Sequence, residues 1–197
     1  NNAIIDNNFY KKSKETLANK KIQKSDFILS IGRLTEQKNH MMLIKAFSLI
    51  KKKYKKKIFL IIIGEGSLKK KLIIEIKSRN IQDSVFILNN KLNVKNFINH
   101  SKLFVQTSLW EGQPNVLLEA IILNKQVIAT KCAGQNNHNL HKFKNCYFLK
   151  NNSVINLSKT ILFFLKKNKK YNFPKNKYKE YEVDNSAKKI LNEIRKN

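Results

Sequence analysis

Short apolar runs alternate with stretches whose apolar residues recur every three or four positions, and this alternation repeats about six times along the chain. FILSIG (27–32) leads through RLTEQKN into HMMLIKAFSLIKKKY, where Met42, Ile44, Ala46, Phe47, Leu49 and Ile50 fit a helical period better than an alternating one. IFLIIIGEG (58–66) is apolar without alternation, as in a strand covered on both faces, and SLKKKLIIEIKSRN follows with Leu68, Leu72 and Ile76 four positions apart. VFIL (85–88) precedes NVKNFINHS, LFVQT (103–107) precedes PNVLLEAIIL, QVIAT (126–130) precedes a polar loop, and CYFL (146–149) precedes SVINLSKTILFFLKK. Alternation of this kind predicts an α/β fold, a doubly wound, Rossmann-like parallel sheet of about six strands with helices on both faces.

Two terminal pieces fall outside that pattern. Residues 1–26 are polar with weak periodicity, and residues 27–167 contain the alternating units. Residues 168–197 begin as a Lys/Tyr/Asn-rich connection carrying Pro174. They end in VDNSAKKILNEIRK, where Ala187, Ile190, Leu191 and Ile194 predict an amphipathic C-terminal helix. Its apolar stripe needs a surface to cover, on this domain or on another one.

The charge invites a nucleic-acid reading, since 40 Lys+Arg against 13 Asp+Glu give a net +27. Its make-up argues otherwise. Of the cations, 37 are lysine and only 3 arginine, whereas the forked guanidinium is what reads phosphates and guanine edges. Lysine, the 27 asparagines and the 24 isoleucines are all encoded by A/T-rich codons, so the basicity reads mainly as compositional drift. It should still draw the protein towards polyanions, including an anionic inner membrane leaflet, at roughly 1 kcal/mol per well-placed lysine. The longest apolar runs, such as Ile58 to Ile63, are far short of the ~20 residues a membrane span needs. NNAIIDNNFYKKSKE lacks the layout of a secretory signal, so the expected location is cytoplasmic, with peripheral attachment to the inner membrane face as an option. Cys132 and Cys146 have no zinc or redox spacing and read as reduced thiols.

Residues with G/C-rich codons are few, and most of them cluster at the predicted strand ends: Gly32, Arg33, Gly64, Gly66, Trp110, Gly112 and Pro114. A ligand site built from loops at the carboxyl edge of a sheet needs this placement. The most specific segment is SLWEGQPNVLLEA (108–120), which puts Glu111 and Gly112 in a loop after a strand, Pro114 at the first position of a helix, and Glu119 inside it. The amides of Asn115, Val116 and Leu117, without intrahelical partners at a helix start, suit a phosphate. Carboxylates beside a phosphate make sense if they are aimed at flanking hydroxyls, and a sugar-diphosphate-ribose layout offers those. A capped helix with surface glutamates is the plain alternative. GRLTEQK (32–38) adds Arg33 and Lys38 at the same edge, enough positive charge to steady a pyrophosphate leaving group, unless they are only loop cations. Gly64-Glu65-Gly66 is a tight strand-to-helix turn, and a lone Gly-x-Gly can equally do no more than close one.

In order, GRLTEQKN, IIIGEGSLKKKL, VFIL, LFVQTSLWEGQPNVLLEA and VIATKCAG resemble the C-terminal, donor-binding domain of family 4 (group 1) retaining glycosyltransferases, which have the GT-B fold. The resemblance covers roughly residues 27–165 and includes the family's Glu-x7-Glu motif, Glu111 to Glu119. It implies that residues 27–167 bind a nucleotide-sugar such as a UDP- or GDP-sugar, with Gly32, Arg33 and Lys38 at the diphosphate. It places Glu111 near the reacting sugar carbon, Glu119 on the ribose hydroxyls, the amides from Gly112 to Leu117 on the phosphates, and Leu88 and Asn89 along the nucleobase. Glu111, Arg33 and Lys38 would be the catalytic residues. Residues 1–26 resemble the hinge after the family's first domain, and the resemblance implies that this N-terminal acceptor domain is missing from the chain. Asn39 stands where the family usually has Gly, and CAGQNNHNL (132–140) puts His138 where an acidic residue is common.

The expected function is therefore the donor half of an enzyme that transfers a hexose or N-acetylhexosamine, with retention, to a glycan or lipid-linked acceptor, as in polysaccharide biosynthesis. No cofactor and no metal is expected, and His138 with His141 makes an incomplete metal site. Nucleic acid is not expected as a partner. The alternative is a basic, non-catalytic binding module for nucleic acid or anionic surfaces.

Overall fold

In a computed structural model the six expected strands form one all-parallel sheet. The structure describes residues 4–17, 20–89, 93–112, 114–132, 140, 143–167, 171, 178, 181 and 182. The strands are β1 (Phe27–Ile31), β2 (Phe59–Ile63), β3 (Val85–Leu88), β4 (Leu103–Gln106), β5 (Val127–Ala129) and β6 (Cys146–Phe148), in the spatial order β3-β2-β1-β4-β5-β6. The described helices are α1 (Phe9–Ser13), α2 (Lys20–Gln23), α3 (His40–Lys53), α4 (Lys69–Ser78), α5 (Val94–His100), α6 (Asn115–Ile122) and α7 (Val154–Lys167).

The register is set by the apolar runs. β1 pairs with β2 from Phe27↔Phe59 to Ile31↔Ile63, so successive residues send side chains to opposite faces in step. On one face Phe27, Leu29, Phe59, Ile61, Ile63 and Phe104 share a core with Phe97 and Ile98 of α5 and Leu117 and Ile121 of α6. On the other, Ile28, Leu60, Ile62, Val105 and Ile128 share a core with α3, α4 and α7 through Phe47, Leu72 and Ile161. All five residues of β2 are buried, which explains why its sequence shows no alternation.

Strand order reverses direction between β1 and β4. Chains leaving these neighbours pass to opposite faces, through α3 on one side and α6 on the other, and open a crevice at their carboxyl ends. The N-terminal segment, which resembles a hinge in sequence, carries α1 and α2 and buries Ile5, Phe9, Leu17 and Ile22 in the first of the two cores. Asn93 Nδ2 ties α1 to the start of α5 by donating to the Lys12 carbonyl (2.9 Å) and to Glu15 Oε2 (2.7 Å). Tyr178 and Tyr181 join the same core, and Ile4 and Ile5 donate backbone bonds to the Tyr181 carbonyl. The helix expected from VDNSAKKILNEIRK, Pro174, His138 and His141 lie outside the described residues.

Candidate active site

The loop after β1 is shaped by its backbone. Glu36–Lys38 form one turn of 3-10 helix, and Asn39 then adopts the left-handed conformation (φ 46°, ψ 44°) before α3 starts. After glycine, asparagine is the residue that tolerates this region best, so Asn39 in place of the family's usual Gly preserves the turn. Its Oδ1 also accepts from the Met42 amide at 3.4 Å, capping α3. His40 follows, buried, with Nδ1 3.4 Å from Ser30 Oγ and Nε2 3.3 Å from the Gly32 carbonyl. Burial first, with the nearby Lys38 charge adding to it, pushes the imidazole pKa down to about 4.

Gly64 and Gly66 brace this loop. A Cβ on Gly64 would stand 2.0 Å from the Gly32 carbonyl oxygen, and one on Gly66 2.5 Å from that of Leu34. Close backbone approach is thus what these glycines supply, and the Leu34 amide bonds to the Glu65 carbonyl at 2.8 Å.

The loop after β4 meets the loop after β1. Lys38 Nζ donates to Glu111 Oε1 at 2.6 Å, with the Glu111 side chain 3% exposed. The same oxygen accepts from Gln106 Nε2 at 3.1 Å and from Ser108 Oγ. The lysine stem crosses Gly32, where a Cβ would come within 3.2 Å of it. Thr107 Oγ1 lies 3.0 Å from both the Lys38 and the Asn39 carbonyls. The Leu109 amide donates to the Gln37 carbonyl at 2.8 Å, and Gln37 Nε2 donates to the Trp110 carbonyl at 3.0 Å. Arg33, exposed, reaches Gln37 Oε1 through Nη2 at 3.0 Å. A third loop joins where Thr130 Oγ1 donates to the Ser108 carbonyl at 2.6 Å. Just beyond it the Cys132 thiol is pushed up to about 11, by burial and then by the Glu111 charge, with Lys38 opposing.

The structure therefore brings Lys38 and Glu111 into direct contact, with the lysine stem passing over Gly32, and places Arg33 on the same braced loop. Gly112 follows Glu111, and a Cβ built on it would meet nothing within 4 Å. Pro114 is the residue before α6 rather than its first, since its ψ of 63° is not helical, although its carbonyl already accepts the Leu118 amide at 3.0 Å. Asn115, Val116 and Leu117 form the first turn, as expected.

Glu119 lies one turn further along α6 and pairs with Lys95 of α5, Oε1 to Nζ 3.4 Å. Its pKa is raised, chiefly by burial, with Lys95 opposing and Asp6 adding to the rise. Lys95 Nζ also stands 5.4 Å from the Phe9 ring centre. Leu88 and Asn89 close β3 at the same carboxyl edge, two strands from β1, with the Leu88 carbonyl accepting from the Gly64 amide. Among the described residues no three His, Cys, Asp or Glu side chains are grouped to hold a metal ion. No described helix is long and apolar enough to cross a membrane.

Gln37, Gln106 and Ser108 lie inside the motif segments without a role read from them, and Lys95 lies outside those segments. Gln106 left one trace, an amide at the end of the apolar strand FVQT. Lys95 left none among so many lysines.

The chain is 46% identical over 112 residues to an uncharacterized glycosyltransferase of Methanocaldococcus jannaschii, covering 56% of this chain and 27% of that protein. It is 36% identical over 129 residues to the N-acetylgalactosamine-N,N'-diacetylbacillosaminyl-diphospho-undecaprenol 4-alpha-N-acetylgalactosaminyltransferase of Campylobacter jejuni, covering 66% of this chain and 33% of that protein. The chain thus spans a third or less of the length of these relatives. A crystal structure of a Staphylococcus aureus TarM mutant, in complex with fondaparinux, alpha-GlcNAc-glycerol and UDP, superposes with a TM-score of 0.71 at 24% identity, over 91% of this chain and 37% of TarM. The model of the glycosyl transferases group 1 matches residues 12–181, and the chain belongs to that family.

Proposed function

We propose that these residues are the donor-binding part of a retaining glycosyltransferase that takes a nucleoside-diphosphate sugar. The observation that carries this reading is the Lys38–Glu111 contact at the carboxyl ends of β1 and β4, where strand order reverses and a doubly wound sheet binds its ligand. Lys38 and the more exposed Arg33 meet the diphosphate together with the first-turn amides of α6, so that these groups take the role a metal ion plays elsewhere. When the bond from the anomeric carbon to the diphosphate oxygen breaks, its electron pair stays on that oxygen, and these cations and amides hold the new charge.

Glu111 is fixed for a different task. All three of its hydrogen bonds among the described residues fall on Oε1, which leaves Oε2 for a donor-sugar hydroxyl close to the reacting carbon. Glu119, held through Oε1 by Lys95, takes the ribose diol, and Leu88 and Asn89 border the nucleobase. A hexose or N-acetylhexosamine is the transferred group, and a glycan or lipid-linked acceptor receives it. The C. jejuni relative's name specifies an N-acetylgalactosamine and a diphospho-undecaprenol acceptor, and TarM has been crystallised with UDP.

Retention is read from the product. The full-length protein, given an α-linked nucleotide-sugar and a suitable acceptor, should yield an α-linked product by NMR, and a β-linked product would contradict the proposal. The 197 residues alone should bind nucleotide and transfer no sugar.

A further inference from the structure

The helical layer formed by α3, α4 and α7 carries a surface that sugar transfer does not use. Four lysines each in α3 and α4 and three in α7 stand against one carboxylate within these helices, Glu75, whose charge Arg79 meets at 2.6 Å, and Glu36, just before α3, lies 3.9 Å from Lys71. Among the described helices the opposite layer is less lopsided: α1 and α2 carry two lysines each, α5 one and α6 none, and α6 carries a glutamate. Drift in codon usage raises lysine everywhere and does not by itself choose a layer.

Exposed apolar residues follow the same asymmetry. Six large apolar side chains are exposed among the described residues, and Leu109 and Trp110 are in the loop after β4. The other four, Ile73 (37%), Ile74 (67%), Ile155 (61%) and Phe163 (55%), are all on the outer faces of α4 and α7. Each group is bracketed by lysines at helical spacing: Lys70 and Lys77 around Ile73 and Ile74, Lys159 and Lys166 around Phe163. Lys167 Nζ lies 5.3 Å from the Phe163 ring centre. Apolar side chains flanked by long cationic ones match the headgroup boundary of a bilayer, where the apolar parts enter and the ammonium groups reach the phosphates.

We propose that the α3/α4/α7 layer docks on an anionic lipid bilayer. A second copy of the chain is a poor occupant, because a symmetric contact would set lysine layer against lysine layer. Nucleic acid would satisfy the charge but offers nothing to Ile74 and Phe163.

The test uses the full chain with phosphatidylcholine vesicles, with and without phosphatidylglycerol. Binding should require phosphatidylglycerol and fall about tenfold or more in Lys70→Gln/Lys77→Gln/Lys159→Gln/Lys166→Gln. It should also fall in Ile74→Ser/Phe163→Ser. A control of equal charge on exposed positions elsewhere, Lys11→Gln/Lys12→Gln/Lys14→Gln/Lys24→Gln, should change it much less. A direct reading of insertion comes from Phe163→Trp in a Trp110→Phe background, whose emission should shift to the blue on anionic vesicles only. An equal loss in the control, an unshifted emission, or duplex DNA binding that depends on the layer lysines while vesicle binding does not, would overturn the proposal.

Discussion

At the residue scale, Glu111 and Lys38 show how a short motif becomes a site. They are 73 positions apart, and each side chain is held by the loop of the other. Gly112 tests whether that site opens on a ligand. A Cβ there meets nothing within 4 Å, so Gly112→Val should fold and melt like the wild type. If a diphosphate lies against this loop, however, calorimetry should find nucleotide affinity reduced at least about tenfold. Undiminished affinity would place the phosphates elsewhere. His40 allows a second test. Its folded pKa, near 4, is below the ordinary value, so the unfolded chain takes up a proton that the buried ring refuses. The stability it contributes is present above about pH 6.5 and is lost as pH falls towards 4, about 2 kcal/mol of it by pH 5. Urea midpoints at pH 7 and pH 5 should show that loss in the wild type, and less of it in His40→Gln.

At the scale of elements, the loops are fitted to one another more tightly than their sequences suggest. Gly64 could be read as a phosphate-loop glycine or as a turn residue, and the structure gives it a third task, clearing the Gly32 carbonyl. Gly64→Ala should therefore destabilise the fold by about 3 kcal/mol in urea unfolding, through backbone that has no room to move aside. The strands and most helices were legible because burial imposes period, and β2 was plain because both its faces are covered. Residues 1–26 were not legible as helices, since α1 and α2 are too short to develop a period and are held by contacts with α5 and the core. The start of α6 was off by one position because proline suits both the residue before a helix and its first residue.

For the whole molecule, the net charge of +27 is best divided by layer. Arg33 and Lys38 face the crevice, while the α3/α4/α7 layer holds an excess of lysine that Glu75 and the Glu36–Lys71 pair (3.9 Å) offset only in small part. Sequence could not show this division, because lysine recurs along most of the chain and only the fold assigns each helix to a side of the sheet. Lys95 escaped notice for the same reason, although it holds Glu119 at the far end of the motif. The central claim, that this crevice takes a nucleoside diphosphate, is tested most directly by calorimetric titration of UDP, GDP and ADP into the wild type and Glu119→Ala. One of the three should bind the wild type, and the variant should lose ten- to hundredfold in affinity, about 1.5–3 kcal/mol, as expected for a charged hydrogen-bond acceptor removed from a ribose. No binding of any nucleotide, with tight salt-dependent binding of DNA instead, would contradict it.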